Sequence, residues 1–185
     1  MSTLAIEIPA RAATPLAGDL TLTTLPGRDL DQDELRSLAS HLALHPEQWR
    51  HHLAFDADNR VYVSLHRDAH VDVWLLCWTP ENDTGFHDHD VSSGAVAVIS
   101  GKVREDRLVL GSSPSSRVVR AGGAFSFEAS DIHRVQHVGA EPAVTLHAYS
   151  PPLWRMGTYE VQPGGRLLRH SVSYAEELRP LNFAA

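Results

Sequence analysis

"RVYVSLHRDAHVDVWLLCW", Arg60 to Trp78, is the stretch that decides how this chain is read. Its apolar residues recur every second position in "RVYVSLH", and "HVDVWLLCW" runs almost continuously apolar at strand length. Successive side chains of an extended strand point to opposite faces, so the first run reads as a half-buried strand and the second as a more fully buried one. The pattern continues downstream in "GAVAVISG" (94–101), "RVVRAGG" (117–123), "AFSFEA" (124–129), "IHRVQHV" (132–138) and "AVTLHAYS" (143–150). The turn-forming groups "PENDTG", "SGK", "GSSPSS", "AGG", "GAEP" and "PGG" punctuate these runs. No long helical pattern interrupts the series, which argues against a parallel α/β sheet. An all-β protein is expected, an antiparallel barrel or jelly roll, with its last strands in 157–174 and a tail after Tyr174.

Upstream the period changes. "DLDQDELRSLASHLALHPEQWRHHL" (29–53) places Leu35, Leu38, Leu42 and Leu44 at roughly helical spacing. Asp31 or Asp33 can cap the start by accepting from the free N–H groups of the first turn. Pro46 closes that helix and can open a second short one through Trp49. This gives a helical prefix over 31–52 and a barrel from about 60, in one domain over 29–185. Residues 1–28, with Pro9, Pro15 and Pro26, read as a loose lead-in.

Composition narrows the function classes. The chain has 185 residues, room for one sizeable core and hardly for two. A net charge of -7 gives no footing for nucleic acid or an anionic membrane. Its start lacks the basic and apolar regions of a signal peptide, and no apolar run is long enough to span a bilayer. The one cysteine, Cys77, cannot form an internal disulfide and reads as a buried core thiol. A cytoplasmic protein is expected, with its oligomeric state left open.

Twelve histidines are present. His41, His45, His51 and His52 fall in the helical prefix, and His66 and His70 flank a turn; these take surface or capping roles. "GFHDHD" (85–90) is different. On a strand, His87 and His89 share one face while Asp88 points to the other, so two imidazoles can reach one metal without bending the backbone. "SDIHRVQHVG" (130–139) offers a third, His133 or His137, four residues apart on one face. In "AVTLHAYSPP", Thr145, His147 and Tyr149 also share a face, with Val144, Leu146 and Ala148 on the other. A hydroxyl, an imidazole and a phenol in one row can relay hydrogen bonds. The following "SPP" makes a tight exit that fixes Tyr149.

The HxH pair with a later histidine resembles the cupins, small jelly-roll barrels built around a central metal. Ser93 and Gly94 stand where the usual cupin motif has a glutamate, so three neutral imidazoles leave about three positions open on a six-coordinate ion. The resemblance then becomes specific. "LLCW", "HDHD" nine residues after Trp78, "ISGKVRED", "IHRV" and "EPAVTLHAYSPP" resemble, in order, the cysteine dioxygenase family of iron-dependent thiol dioxygenases.

That resemblance implies Fe(II) bound by His87, His89 and His133. It also implies a small-molecule thiol, cysteine or a relative, oxidised with O2 to its sulfinic acid. The family's Ser-His-Tyr row maps onto Thr145, His147 and Tyr149, which take the catalytic roles. Mammalian members have a cysteine thioether-linked to the tyrosine where this chain has Gly94; bacterial relatives commonly have glycine there. Tyr62 falls at the position of the arginine that holds the substrate carboxylate. Arg60, on the same strand face, and Arg155, just after "SPPLW", are the other candidate anchors. A thiol other than L-cysteine is therefore expected. A three-histidine cupin could otherwise be a non-catalytic sensor, an isomerase or a dioxygenase of a non-thiol substrate, but neither alternative explains the Thr-His-Tyr row.

Overall fold

The computed structural model describes residues 20–173 apart from 58, 110, 164 and 165. Most of the lead-in and the tail from Tyr174 lie outside the described residues. The capped start of the helix is at Asp31. Its side chain accepts from the N–H of Asp33 and Glu34 at 3.1 and 3.0 Å, and Glu34 accepts in return from the Asp31 N–H at 3.0 Å. Two orphan donors of the first turn are thereby satisfied. Helix α1 runs over Gln32–Ala43 and buries Leu35, Leu38, Ala39 and Leu42, one face of a 3.6-residue period. Leu44 does not continue that face: it caps the helix end and is 78% exposed. Two short 3₁₀ turns, Pro46–Gln48 and Arg50–His52, follow.

Among the described residues eleven strands follow: β1 Val61–Arg67, β2 Asp72–Trp78, β3 His87–Asp88, β4 Ser93–Ser100, β5 Lys102–Arg107, β6 Ser115–Arg120, β7 Ala124–Phe127, β8 His133–His137, β9 Ala143–Ser150, β10 Arg155–Val161 and β11 Leu167–Ser173. They form two antiparallel sheets, ordered β1-β2-β9-β4-β7 and β11-β10-β3-β8-β5-β6. This is the expected cupin jelly roll. Strand β5 is absent from the period-two reading because "KVREDR" is dominated by charged residues; it is held by β6 on one side and β8 on the other.

The near-continuous apolar character of β2 and β9 has a direct cause. Helix α1 packs over the outer face of the five-stranded sheet, against β4, β9 and β7. Val73, Leu75, Cys77, Ala95, Ala97, Val144, Leu146 and Ala148 point outward into this helix-covered core, joined by the partly buried Leu20, Leu22 and Leu25. Trp74, Leu76, Trp78, Val96, Val98 and Tyr149 point inward, to meet Val103, Phe125, Phe127 and Val135 inside the barrel. Strands covered on both faces lose the apolar–polar alternation of a half-exposed sheet. Cys77 is buried and unpaired, and burial pushes its thiol pKa up.

Candidate metal centre

The two sheets face each other across a largely apolar cavity into which each sends a set of polar side chains. From the six-stranded sheet come the histidines. His87 pairs in register with His133 across β3 and β8, and His89 follows one residue after β3 ends. All three are buried, and one nitrogen from each lies within 4.8 Å of the others. His137 is not in this group; its Nε2 lies 2.8 Å from the Glu141 carbonyl.

Local structure aims the ring nitrogens. Gly85 sits at φ +66°, a left-handed conformation that favours glycine. Its carbonyl lies 3.0 Å from His87 Nδ1 and can only accept, so that nitrogen carries the proton and Nε2 is left with a lone pair. His133 Nδ1 lies 2.9 Å from Glu105 Oε1. Asp88, between the two HxH histidines, points to the other side as expected. There it accepts from Arg169 Nε and Nη2 at 2.7 and 2.9 Å, Tyr159 Oη at 2.5 Å and the Gly157 N–H at 3.1 Å. Gly157 is required by this strut, since a Cβ there would fall 2.2 Å from Arg169 Nε and 2.6 Å from Asp88 Oδ2. The Asp88 carboxyl is held well below the usual carboxylate range despite its burial, chiefly by the hydrogen bond from Arg169.

Burial, with the neighbouring His133, pushes the His87 pKa down to about 3, and burial holds His89 well below the ordinary imidazole value. Both are neutral near pH 7 and present lone pairs rather than protons. Three buried imidazoles without a carboxylate in the cluster fit a divalent transition metal.

From the five-stranded sheet comes the polar row of β9. Trp78 Nε1 donates to Thr145 Oγ1 at 2.8 Å, Thr145 Oγ1 lies 2.9 Å from His147 Nε2, and His147 Nδ1 lies 3.2 Å from Tyr149 Oη. Burial, then the charge of Arg60, holds His147 well below the usual imidazole range, so the ring is neutral with one donor and one acceptor. The indole N–H can only donate. The Thr145 hydroxyl accepts it and turns its own proton to His147 Nε2, which leaves the imidazole proton on Nδ1, facing the tyrosine oxygen. Tyr149 also lies against the metal side: its ring centroid is 5.3 Å from that of His89.

Of the nine candidate residues, seven line the cavity: Arg60, Tyr62, His87, His89, His133, His147 and Tyr149. Thr145 sits behind His147 and supports it. Arg155 is not brought in; its side chain is 67% exposed and pairs with Asp90 at 3.2 Å. Arg60 lies with its guanidinium 5.2 Å from the centre of the Trp78 ring, and Tyr62 packs against Trp74. Among the described residues no aspartate, glutamate or lysine lines the cavity, and Arg60 is the one arginine there.

Two contributors escape the sequence reading. Phe127 stacks on His89 at 4.4 Å and lies 4.4 Å from His133. It reaches there because Gly94, in register with Tyr149, has no side chain: a Cβ at Gly94 would fall 2.3 Å from the Phe127 ring. Glu105 is the second. Its strand looks solvated, and the available signal was its spacing of two from Val103, a residue whose apolar side chain belongs inside.

The chain matches the family described as cysteine dioxygenase type I over residues 6–162. Cysteine dioxygenase type 1 of Danio rerio is 26% identical over 147 residues, 73% of this chain and 73% of the relative. The Homo sapiens cysteine dioxygenase type 1 is 22% identical over 148 residues, 75% of this chain and 74% of the relative. A solved structure from Thermus thermophilus superposes with a TM-score of 0.50 at 17% identity, over 55% of this chain and 92% of that one, a likeness of fold.

Proposed function

Because this chain belongs to the cysteine dioxygenase type I family, we propose that it oxidises a small carboxylate-bearing thiol to its sulfinic acid with O2, at Fe(II) held by His87, His89 and His133. The observation that carries this reading is the convergence of the three buried histidines with the Thr145–His147–Tyr149 row across a single cavity. Bound iron would supply the electron density that activates dioxygen and would hold the thiol as thiolate. The reaction balances without an external reductant, since a thiol and O2 together contain every atom of the sulfinic acid. That is consistent with a chain that carries no nucleotide-binding motif.

The protein's own groups have separable tasks in this scheme. The three histidines offer nitrogen lone pairs to the metal. Thr145 and His147 fix the position of the tyrosine oxygen, and Tyr149 gives its hydroxyl to the reacting end of the substrate. Arg60 accounts for the other end. A guanidinium makes charge-assisted hydrogen bonds to a carboxylate, whereas a phenol such as Tyr62 offers one neutral donor. With no acid in the described cavity wall to pair with an ammonium group, a thiol carrying a carboxylate alone, such as 3-mercaptopropionate, is favoured over L-cysteine. We read residues 29–185 as one cupin unit working in the cytoplasm, where the buried thiol of Cys77 stays reduced.

Oxygen consumption by the iron-loaded protein across L-cysteine, 3-mercaptopropionate and cysteamine tests this reading. Both carboxylate thiols are expected to be turned over, 3-mercaptopropionate with the higher kcat/KM, and cysteamine poorly. Arg60→Ala should lower kcat/KM for the carboxylate thiols by about ten- to a hundredfold, the worth of a hydrogen bond to a charged group, and leave cysteamine unaffected. Equal use of cysteamine, or an Arg60→Ala enzyme with an unchanged substrate ranking, would remove the carboxylate anchor. A metal-loaded protein that consumes no oxygen with any thiol would remove the activity itself.

A further inference from the structure

The three candidate ligands are alike in chemistry and unlike in what stands behind them. His87 Nδ1 faces a backbone carbonyl, that of Gly85. His89 Nδ1 is buried and has no hydrogen-bond partner among the described residues. His133 Nδ1 faces a carboxylate, Glu105 Oε1, at 2.9 Å. Glu105 is itself only 2% exposed and is gripped from two further sides: Arg117 Nε donates to Oε2 at 2.6 Å, and Arg107 Nη2 donates to Oε1 at 3.2 Å. The arginines are anchored in turn. Arg107 donates to the Ser126 carbonyl at 3.1 Å and pairs with Asp131 at 3.1 Å, and Arg117 lies 4.8 Å over the Phe125 ring.

Resting on the reading of the histidines as a metal centre, we propose that Glu105 is a positioning residue that presents His133 Nε2 to the metal, with Arg117 and Arg107 fixing the carboxylate. A buried carboxylate between two guanidinium groups is a weak device for stability, because desolvation consumes most of the attraction. As a device for orienting an imidazole every part is used. The carboxylate has no proton to give, so it must accept from Nδ1, and the His133 lone pair is directed from Nε2 into the cluster. Outer partners of this kind fix tautomer and ring orientation and raise ligand basicity. Among the three histidines His133 is then the strongest donor and His89 the weakest.

The arginines make the charge of Glu105 matter as well as its shape. A glutamine at 105 has one carbonyl oxygen, while Arg117 and Arg107 each present an N–H, one toward each oxygen position. If the oxygen turns to Arg117, the amide N–H₂ faces His133 Nδ1 and drives the imidazole proton to Nε2, where it blocks the metal. If the oxygen turns to His133 and Arg107, the N–H₂ meets Arg117. Removing Arg117 relieves that conflict and lets the carbonyl accept from His133.

Two measurements test this. In the apoprotein, ¹⁵N NMR of the histidine rings should find the His133 proton on Nδ1; a proton on Nε2 overturns the proposal without any variant being made. Co(II) competition against a chelator then reads affinity. Glu105→Gln should weaken Co(II) binding by about ten- to a hundredfold, the usual effect of losing an outer-shell partner, and the Glu105→Gln/Arg117→Ala double variant should recover most of it. Unchanged affinity in Glu105→Gln, or a double variant no tighter than the single, would overturn the role of Glu105. Wild-type protein that binds no Co(II) would instead remove the metal-centre reading on which it rests.

Discussion

Val144, Leu146 and Ala148 on one face of β9, and Thr145, His147 and Tyr149 on the other, are all buried, and for different reasons. The first three pack beneath α1 in a cluster that is wholly apolar. The second three stand inside the barrel, where each polar group has a partner: Trp78 for Thr145, Thr145 for His147, His147 for Tyr149. The outer face gains free energy from removing apolar surface from water. The inner face breaks even at best, because buried polar groups must recover in hydrogen bonds what they lose in hydration. Under the proposed function, one strand therefore separates stability from chemistry by the parity of residue number.

The largest way to break that separation is Tyr149→Phe. Removing the phenol oxygen should lower turnover by about 10²–10⁴-fold, the usual worth of a positioned proton donor, while metal content and melting temperature stay near wild type. Full activity on every thiol the wild type accepts would deny the inner face its role. Leu146→Ala makes the opposite cut. It should cost about 2–5 kcal/mol of unfolding free energy, read by urea denaturation, because it removes a fully buried side chain beneath α1. The folded fraction should keep its kcat, and a loss of kcat as large as that of Tyr149→Phe would mean that the two faces are not separable.

Acid sharpens the comparison, since His87 titrates inside the barrel. The His87 pKa is about 3 in the folded protein against an ordinary 6.5, so as pH falls the unfolded chain takes up the proton first. The stability that depends on a neutral His87 is full above about 6.5 and is lost progressively toward 3. Glu105, held down to about 2 by His133 and then Arg117 against its burial, adds a loss of the same sign below its ordinary 4.5. Metal-free protein should lose on the order of 2 kcal/mol between about pH 7 and about pH 5 from His87 alone. A flat profile over that range would mean that the imidazoles are already charged or hydrated. The smallest effect belongs to the outer layer: Asp31→Ala removes the helix cap and should cost about 1 kcal/mol with kcat unchanged.

Much of this was legible in the chain itself. Period two from Arg60 onward announced strands, the Asp31 and leucine pattern announced the helix, and the HxH and Thr-His-Tyr spacings put their residues on shared faces, because those are local consequences of backbone geometry. Face parity on β9 holds residue for residue. Leu44 shows where local pattern fails: it fits helical spacing, but α1 ends one residue before it.

What the sequence could not decide is whatever depends on which strand lies beside which. His133 and His137 are equivalent by period, and only the antiparallel pairing of β8 with β3 puts His133 level with His87. Arg60 and Arg155 are equally plausible anchors on paper; the fold turns Arg60 over Trp78 at the cavity and leaves Arg155 on the surface with Asp90. Glu105 reads as one charge among several until β5 sits against β8 and carries it behind His133. Such contacts join residues tens of positions apart through sheet register. Register is set by the packing of the whole barrel, not by any one segment's own preferences.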